Sequence, residues 1–327
     1  MKLSIQRILK LLTMMLVSTL IMIACSNNSP ETTTSQLASL STAEYRIVKD
    51  AIAQIKVPLN PQRIVTLHGT ALESILALNV KPVGTTLNGD RDRQPDFLSK
   101  QLTNIEILGS FGEPNIEKVL LLKPDLILDL DLDTANIYSQ LSQIAPTIVT
   151  DYNPSNSWQP NLKIYAEALG KPEAGEKIIA NYYTRLKQFK AEINKKGKPI
   201  TVSVVRIYPH GITLYQPDSF SGAILKEAGL SRPPSQRQGG GQQLISQELI
   251  SEADADVIFY WAYGDDYYSK TERIQNNLEQ LKSDPLWLQL NAVKQGKVYQ
   301  VPDYWIGYGP LAANAVIDDL FKYILDN

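Results

Sequence analysis

Arginine and aromatic side chains stand at or near the ends of several apolar runs in this 327-residue chain, a pattern suited to holding an anionic molecule without covalent chemistry. His68 follows Arg63-Ile64-Val65-Thr66-Leu67, Arg91 and Arg93 follow Thr85-Thr86, and Arg206 interrupts Val202-Ser203-Val204-Val205 and Ile207. Trp261 with Tyr263 ends another run, and Tyr215, Arg237 and Trp305 are further loop candidates. Guanidinium forks grip paired oxygens, while aromatic faces cover apolar surface. Plainer readings compete. The alternating charges of residues 88–95 suit any solvated loop, Trp261 and Trp305 suit a core, and His68 suits a satisfied polar position. Arg206 resists such a reading, because a charge inside a buried strand needs a partner.

Catalysis finds little support in the residue types. The chain has no Gly-x-Ser-x-Gly elbow, no Gly-Lys-Ser/Thr phosphate loop, no His-Glu-x-x-His helix and no Cys-x-x-Cys pair. Its two histidines, His68 and His210, leave few sites for imidazole base chemistry and are too few for a His-rich zinc site. Gly239-Gly240-Gly241 lacks the strand and helix that a phosphate loop requires.

The elements that must position these side chains begin after an unusual amino terminus. Lys2, Arg7 and Lys10 precede an uncharged apolar stretch that reaches Ala24, directly before Cys25, the single cysteine. About 14 apolar residues fall short of the ~17–25 that span a bilayer. The arrangement resembles a bacterial lipoprotein signal, with Met22-Ile23-Ala24-Cys25 as lipobox, Met22 standing where Leu is usual. That resemblance implies removal of residues 1–24, lipid on Cys25, and export to the periplasm or the outer face of the cytoplasmic membrane. With one cysteine no intrachain disulfide can form. Residues 25–45 read as a flexible tether rich in Ser, Thr and Asn. Losing the signal removes three basic groups and lowers the formal charge from -2 to -5, which argues against nucleic acid as a partner.

In the mature chain, apolar runs at 63–67, 83–85, 125–128 and 147–149 alternate with helical spacing at 71–78, 116–122 and 135–144. Strands alternating with helices imply βαβ units and parallel sheet. Residues 158–195 read as long helix broken only at Gly170-Lys171-Pro172, and strands at 200–208, 257–261 and 298–301 then precede a final helix over 311–325. The expected organisation is an N-terminal α/β lobe over 46–157, a linking helical region over 158–196 and a C-terminal α/β lobe over 197–327. One echo joins the halves: Glu117 lies eight residues before Asp125 and Glu248 eight before Asp256, each pair ahead of an apolar strand.

Several segments, taken in order, resemble the iron-siderophore and cobalamin class of periplasmic binding proteins of ABC importers. They are Pro61-Gln62-Arg63-Ile64-Val65, Leu72-Glu73, Leu78-Asn79-Val80-Lys81-Pro82-Val83-Gly84 and Leu122-Lys123-Pro124-Asp125-Leu126-Ile127 in the first half. In the second half they are Ser221-Gly222-Ala223-Ile224-Leu225, Ala228-Gly229-Leu230, Ile245-Ser246-Gln247-Glu248-Leu249 and Gly309-Pro310-Leu311-Ala312. The resemblance implies an α/β fold of two lobes with central, mostly parallel sheets, joined by one long helix, with the ligand in the cleft between them. It further implies capture of a ferric siderophore or ferric citrate type chelate, with cobalamin or haem as alternatives, and no permanently bound cofactor and no direct metal ligand. The implied partners are a permease dimer with its ATPase, Glu117 and Glu248 addressing the two permease copies. Because the chelator already saturates the iron, arginines and aromatics suffice to hold it.

Overall fold

The computed structural model describes residues 44–87, 96–131, 137–151, 158–208, 211–262 and 272–325. Cys25, the signal and tether up to residue 43, and the candidates Arg91, Arg93 and Tyr263 lie outside the described residues.

The described chain opens with an antiparallel hairpin of β1 (Tyr45–Lys49) and β2 (Gln54–Pro58). Asp50 holds its turn: Oδ1 accepts from Ile52 N (2.8 Å) and Ala53 N (2.7 Å), and Oδ2 from Val149 N (2.9 Å). The sequence reading missed this hairpin because each strand buries a single apolar residue completely, Val48 and Val57, and shows no period to read.

The first lobe is a six-stranded sheet of β3 (Ile64–Thr66), β4 (Gly84–Leu87), β5 (Glu106–Ser110), β6 (Glu113–Pro114), β7 (Leu126–Asp131) and β8 (Thr147–Asp151). Its order is β6-β5-β4-β3-β7-β8, and every pairing but β5 with β6 is parallel. Parallel strands are covered on both faces and so read as continuous apolar runs. Accordingly Ile64, Leu126 and Leu128 belong to one core cluster, and Val65 and Ile127 to another. The helices Gly69–Ala77, Ile116–Leu121 and Tyr138–Ile144 lie between the strands in sequence. Lys123, at φ 46°, takes the left-handed conformation that ends the second of these. Asp125 then pins β7 beside β3, accepting from Gln62 N (2.7 Å) and Arg63 N (2.8 Å).

The linking region is two helices, Gln159–Ala168 and Pro172–Lys195, separated by Gly170 at φ 69° and restarted by Pro172 in the first turn. The second helix, 24 residues, spans about 36 Å at 1.5 Å per residue. Gly175, Tyr182, Leu186, Phe189 and Ile193 form its buried stripe.

The second lobe holds β9 (Val202–Tyr208), β10 (Gly211–Tyr215), β11 (Gln242–Ile245), β12 (Val257–Ala262) and β13 (Val298–Gln300), in the order β11-β10-β9-β12-β13. Only β9–β12 and β12–β13 are parallel; β9–β10 and β10–β11 are antiparallel. This sheet is therefore evenly mixed, where a mostly parallel one was expected. The edge strand β11 begins with exposed Gln242, Gln243 and Leu244, a pattern that carries no strand signal. Asp256 repeats the role of Asp125, its Oδ2 accepting from Thr201 N and Oγ1 at 2.8 Å each.

One apolar cluster runs without a break from Ile64 and Leu128 through Tyr165, Tyr182 and Phe189 to Val204, Phe259, Trp305 and Val316. Each such large side chain contributes about 1.5–3 kcal/mol by burial. The lobes thus share a core, and a wide hinge motion would have to expose part of it.

Candidate ligand-binding site

Residues at or beyond the ends of β3, β4 and β5 in the first lobe and beyond β13 in the second line one crevice: Leu72, Leu87, Phe97, Phe111, Ile306 and Tyr308 among them. Open α/β sheets place ligands at the carboxyl ends of their strands, and the crevice lies there. β9 and β12 run parallel to β13, so their carboxyl ends share that edge of the second sheet.

A carboxylate joins the two walls. Glu73 of helix Gly69–Ala77 is 1 % exposed, and its Oε1 accepts from Tyr308 N (3.0 Å) while Oε2 accepts from Ala312 N (2.9 Å). These amides belong to the loop and first turn of helix Pro310–Leu320, where backbone donors lack helical partners. Two glycines allow the close approach: a Cβ on Gly309 would stand 2.6 Å from Glu73 Cβ, and one on Gly69 would stand 2.7 Å from Tyr308 Cδ2. Burial pushes the Glu73 carboxyl up to about 7, against the pull of the backbone amides and with help from Asp303.

His68 sits at the same junction. Its Nδ1 accepts from Thr70 N at 3.1 Å and so caps helix Gly69–Ala77, while the ring packs 4.5 Å from Phe111 and 5.2 Å from Tyr308 between centroids. Burial lowers its pKa to about 3, so the imidazole is neutral and serves as cap and packing surface, not as a cationic anchor.

In the second lobe the register aligns the candidates. Arg206 pairs with Thr213 on β10 and with Trp261 on β12, which sets the three on one face of the sheet. Arg206 is 3 % exposed, and its guanidinium lies 4.1 Å from the ring centroid of Tyr208. Tyr215 and Trp261 meet edge to face at 4.7 Å, both buried, and the Trp261 indole N–H has no acceptor among the described residues. Arg237 is exposed, its Nε donating to the Arg232 carbonyl at 2.7 Å. Trp305 stands apart: fully buried, it packs against Phe259 with ring centroids 4.4 Å apart and planes tilted by 30°, and donates from Nε1 to Asp319 Oδ2 at 2.8 Å, a core assignment.

Sequence reasoning missed Arg232, Glu73, Phe111 and Tyr308. Arg232 is buried, and its Nη2 donates to the Tyr215 carbonyl and to Gln236 Oε1, while Nε and Nη1 have no hydrogen-bond partner and no ion pair among the described residues. Burial lowers its pKa to about 9, which still leaves it charged at neutral pH. A buried cation with no carboxylate partner among the described residues favours an anionic guest. Among the described residues no three His, Cys, Asp or Glu side chains group as a metal-holding set.

Two α/β lobes on a shared core, with a crevice at their strand ends, define a binding protein that takes a small molecule between its lobes. The chain belongs to the periplasmic binding protein family, whose sequence profile matches residues 64–305. It is 35% identical over 327 residues to the probable siderophore-binding lipoprotein YfiY of Bacillus subtilis, with 97% of this chain and 98% of that protein covered. Its structure is similar to that of SirA of Staphylococcus aureus complexed with staphyloferrin B, with a TM-score of 0.73 and 27% identity over 85% of this chain and 98% of SirA. It is likewise similar to the triscatecholate siderophore binding protein FeuA of Bacillus subtilis complexed with ferri-bacillibactin, with a TM-score of 0.71 and 28% identity over 86% and 99% of the two chains.

Proposed function

We propose that this chain captures an intact ferric siderophore or related anionic iron chelate in the interlobe crevice and delivers it, without turnover, to an ABC importer. The observation that carries the reading is the buried Arg206 beside Trp261 in the register of β9 and β12, with the Tyr215 ring against Trp261 and a second buried cation, Arg232, donating to the Tyr215 carbonyl. Guanidinium donors suit the carboxylate, catecholate or hydroxamate oxygens of a chelate, and the rings suit its apolar shell. Arg91, Arg93, Arg237 and Tyr263 are proposed as further contacts, and the siderophores bound by SirA and FeuA support the ligand class. Iron here is cargo held by its own chelator.

In the same reading Cys25 carries the lipid that retains the protein outside the cytoplasmic membrane. Glu117 and Glu248, exposed and one to each lobe, address the two copies of the permease, whose ATPase drives import. Exposed charges at such a contact set encounter rate and register.

Cells deleted for this chain are expected to lose uptake of radioiron supplied as the chelate that the purified protein binds, and to regain it with the wild-type chain. The Cys25→Ser chain should take up no radiolabelled fatty acid. Uptake unchanged by the deletion contradicts the importer role, and fatty-acid labelling of Cys25→Ser contradicts the anchor.

A further inference from the structure

Exposed leucines surround both glutamates. Helix Ile116–Leu121 buries Val119 and turns Glu117 outward; Leu120 and Leu121, three and four positions on, share the Glu117 face and are 58% and 77% exposed. On the second lobe Leu249 adjoins Glu248 and is 47% exposed. The turn Gln247–Ala253 packs against helix Pro285–Gln289 and is tied to it by Gln247 Nε2 donating to Asp284 Oδ2 at 2.9 Å. That helix buries Trp287 and leaves Leu286 and Leu288 41% and 51% exposed. A hydrogen bond from Ser246 holds the Glu248 carboxyl below its usual range, so it is charged at neutral pH.

The two clusters occupy equivalent places. Glu117 with Leu120 and Leu121, and Glu248 with Leu249, lie in short helical segments that precede an aspartate, Asp125 or Asp256, and each aspartate clamps the backbone ahead of the neighbouring parallel strand; Leu286 and Leu288 are added to the second cluster by a later helix. β7 pairs with β3 in the first lobe as β12 pairs with β9 in the second. Exposing several leucines in this way costs solubility, and such patches ringed by charge mark interaction sites. A surface that repeats once per lobe fits a partner that repeats as well, with an apolar seat and a basic group in each copy.

We infer that Leu120 and Leu121 on one lobe, and Leu249, Leu286 and Leu288 on the other, form the apolar centres of two seats for the paired permease subunits, with the glutamates at their rims. This rests on the docking reading above and adds to it where the binding energy lies. Buried apolar contacts hold the complex, whereas the rim charges steer it.

The test uses the full lipidated chain, in which Cys25 is consumed by its lipid, with Leu121→Cys or Leu249→Cys carrying a benzophenone maleimide. Photolysis in membranes is expected to attach both positions to the same integral membrane polypeptide, identified by mass spectrometry; Glu173→Cys, on the exposed face of the linking helix, should attach to none. In parallel, radioiron uptake is compared for Leu120→Ser/Leu121→Ser, Leu249→Ser/Leu286→Ser and Glu117→Ala/Glu248→Ala, each checked for unchanged melting temperature and chelate affinity. Each leucine pair should lower uptake at least about tenfold at both low and high salt, the scale of one or two lost buried leucines. The glutamate pair should lower it mainly at low salt, where wild-type steering is strongest. Normal uptake by the leucine variants beside impaired glutamate variants would overturn this inference and leave the docking reading standing. Normal uptake by all three overturns both, and attachment to lipid alone or to unrelated polypeptides overturns the shared seat.

Discussion

Glu73→Gln is expected to flatten the pH dependence of stability between pH 5 and pH 8, changing the difference from wild type by about 3 kcal/mol across that range. Glu73 holds its proton more tightly in the folded protein, near 7, than at the ordinary value of 4.5. Between those values the native state therefore binds more protons than the unfolded state. Stability from this group is present below about pH 4.5 and is lost as pH rises through 7, because a buried carboxylate must then carry its charge. Glutamine keeps the volume and one acceptor without the titration. Glu73→Ala removes both acceptors and leaves the Tyr308 and Ala312 amides unsatisfied, a loss of about 2–4 kcal/mol at pH 5 that shrinks toward pH 8. Chemical denaturation at pH 5, 6, 7 and 8 measures all three proteins. Parallel curves for wild type and Glu73→Gln would mean that Glu73 does not titrate in this range.

Arg206→Ala is expected to weaken binding of an anionic chelate by about 1.5–3 kcal/mol, roughly 10- to 150-fold, the scale of a hydrogen bond to a charged group. Arg91→Ala and Arg93→Ala should lose less, since in sequence each adjoins an aspartate that offsets its charge, whereas Arg206 is a guanidinium only 3 % exposed. A neutral chelate should suffer less from the same change. Equal losses for charged and neutral chelates, together with a lowered melting temperature, would make Arg206 a structural residue holding Tyr208 in place.

The alternation of parallel strands and helices was legible because buried strands are short and uniformly apolar, and because signals such as Lys123-Pro124 and Gly170-Lys171-Pro172 mark where helices stop. Strands β10 and β11 were not legible. β11 exposes three of its four residues, so its place in the sheet follows from the register with β10 and not from a pattern of its own. For the site, a charge amid Val202, Val204, Val205 and Ile207 signalled Arg206 from sequence alone. Glu73 gave no such signal: its partners are backbone amides 235 and 239 positions away, in a loop and helix start whose residue types say nothing about a carboxylate. Trp305 misled for the converse reason, since a tryptophan with tyrosine and glycine nearby reads as a loop residue until the fold packs it against Phe259. The equivalence of Glu117 and Glu248 was visible as spacing, and the clamps by Asp125 and Asp256 give that spacing a physical cause.

The central claim is that the crevice binds an intact ferric chelate, and tryptophan fluorescence of the purified mature protein tests it most directly. Trp261 lies beside Arg206 in the sheet register, so a guest in the crevice should quench it. Titration is made with ferric citrate, a ferric tris-catecholate, a ferric tris-hydroxamate, each iron-free chelator, cobalamin and haemin. The expected result is saturable quenching by at least one ferric chelate at one equivalent, with the same complex recovered unchanged on displacement. Saturable binding of cobalamin or haemin alone, or recovery of a chemically altered chelate, would contradict the account.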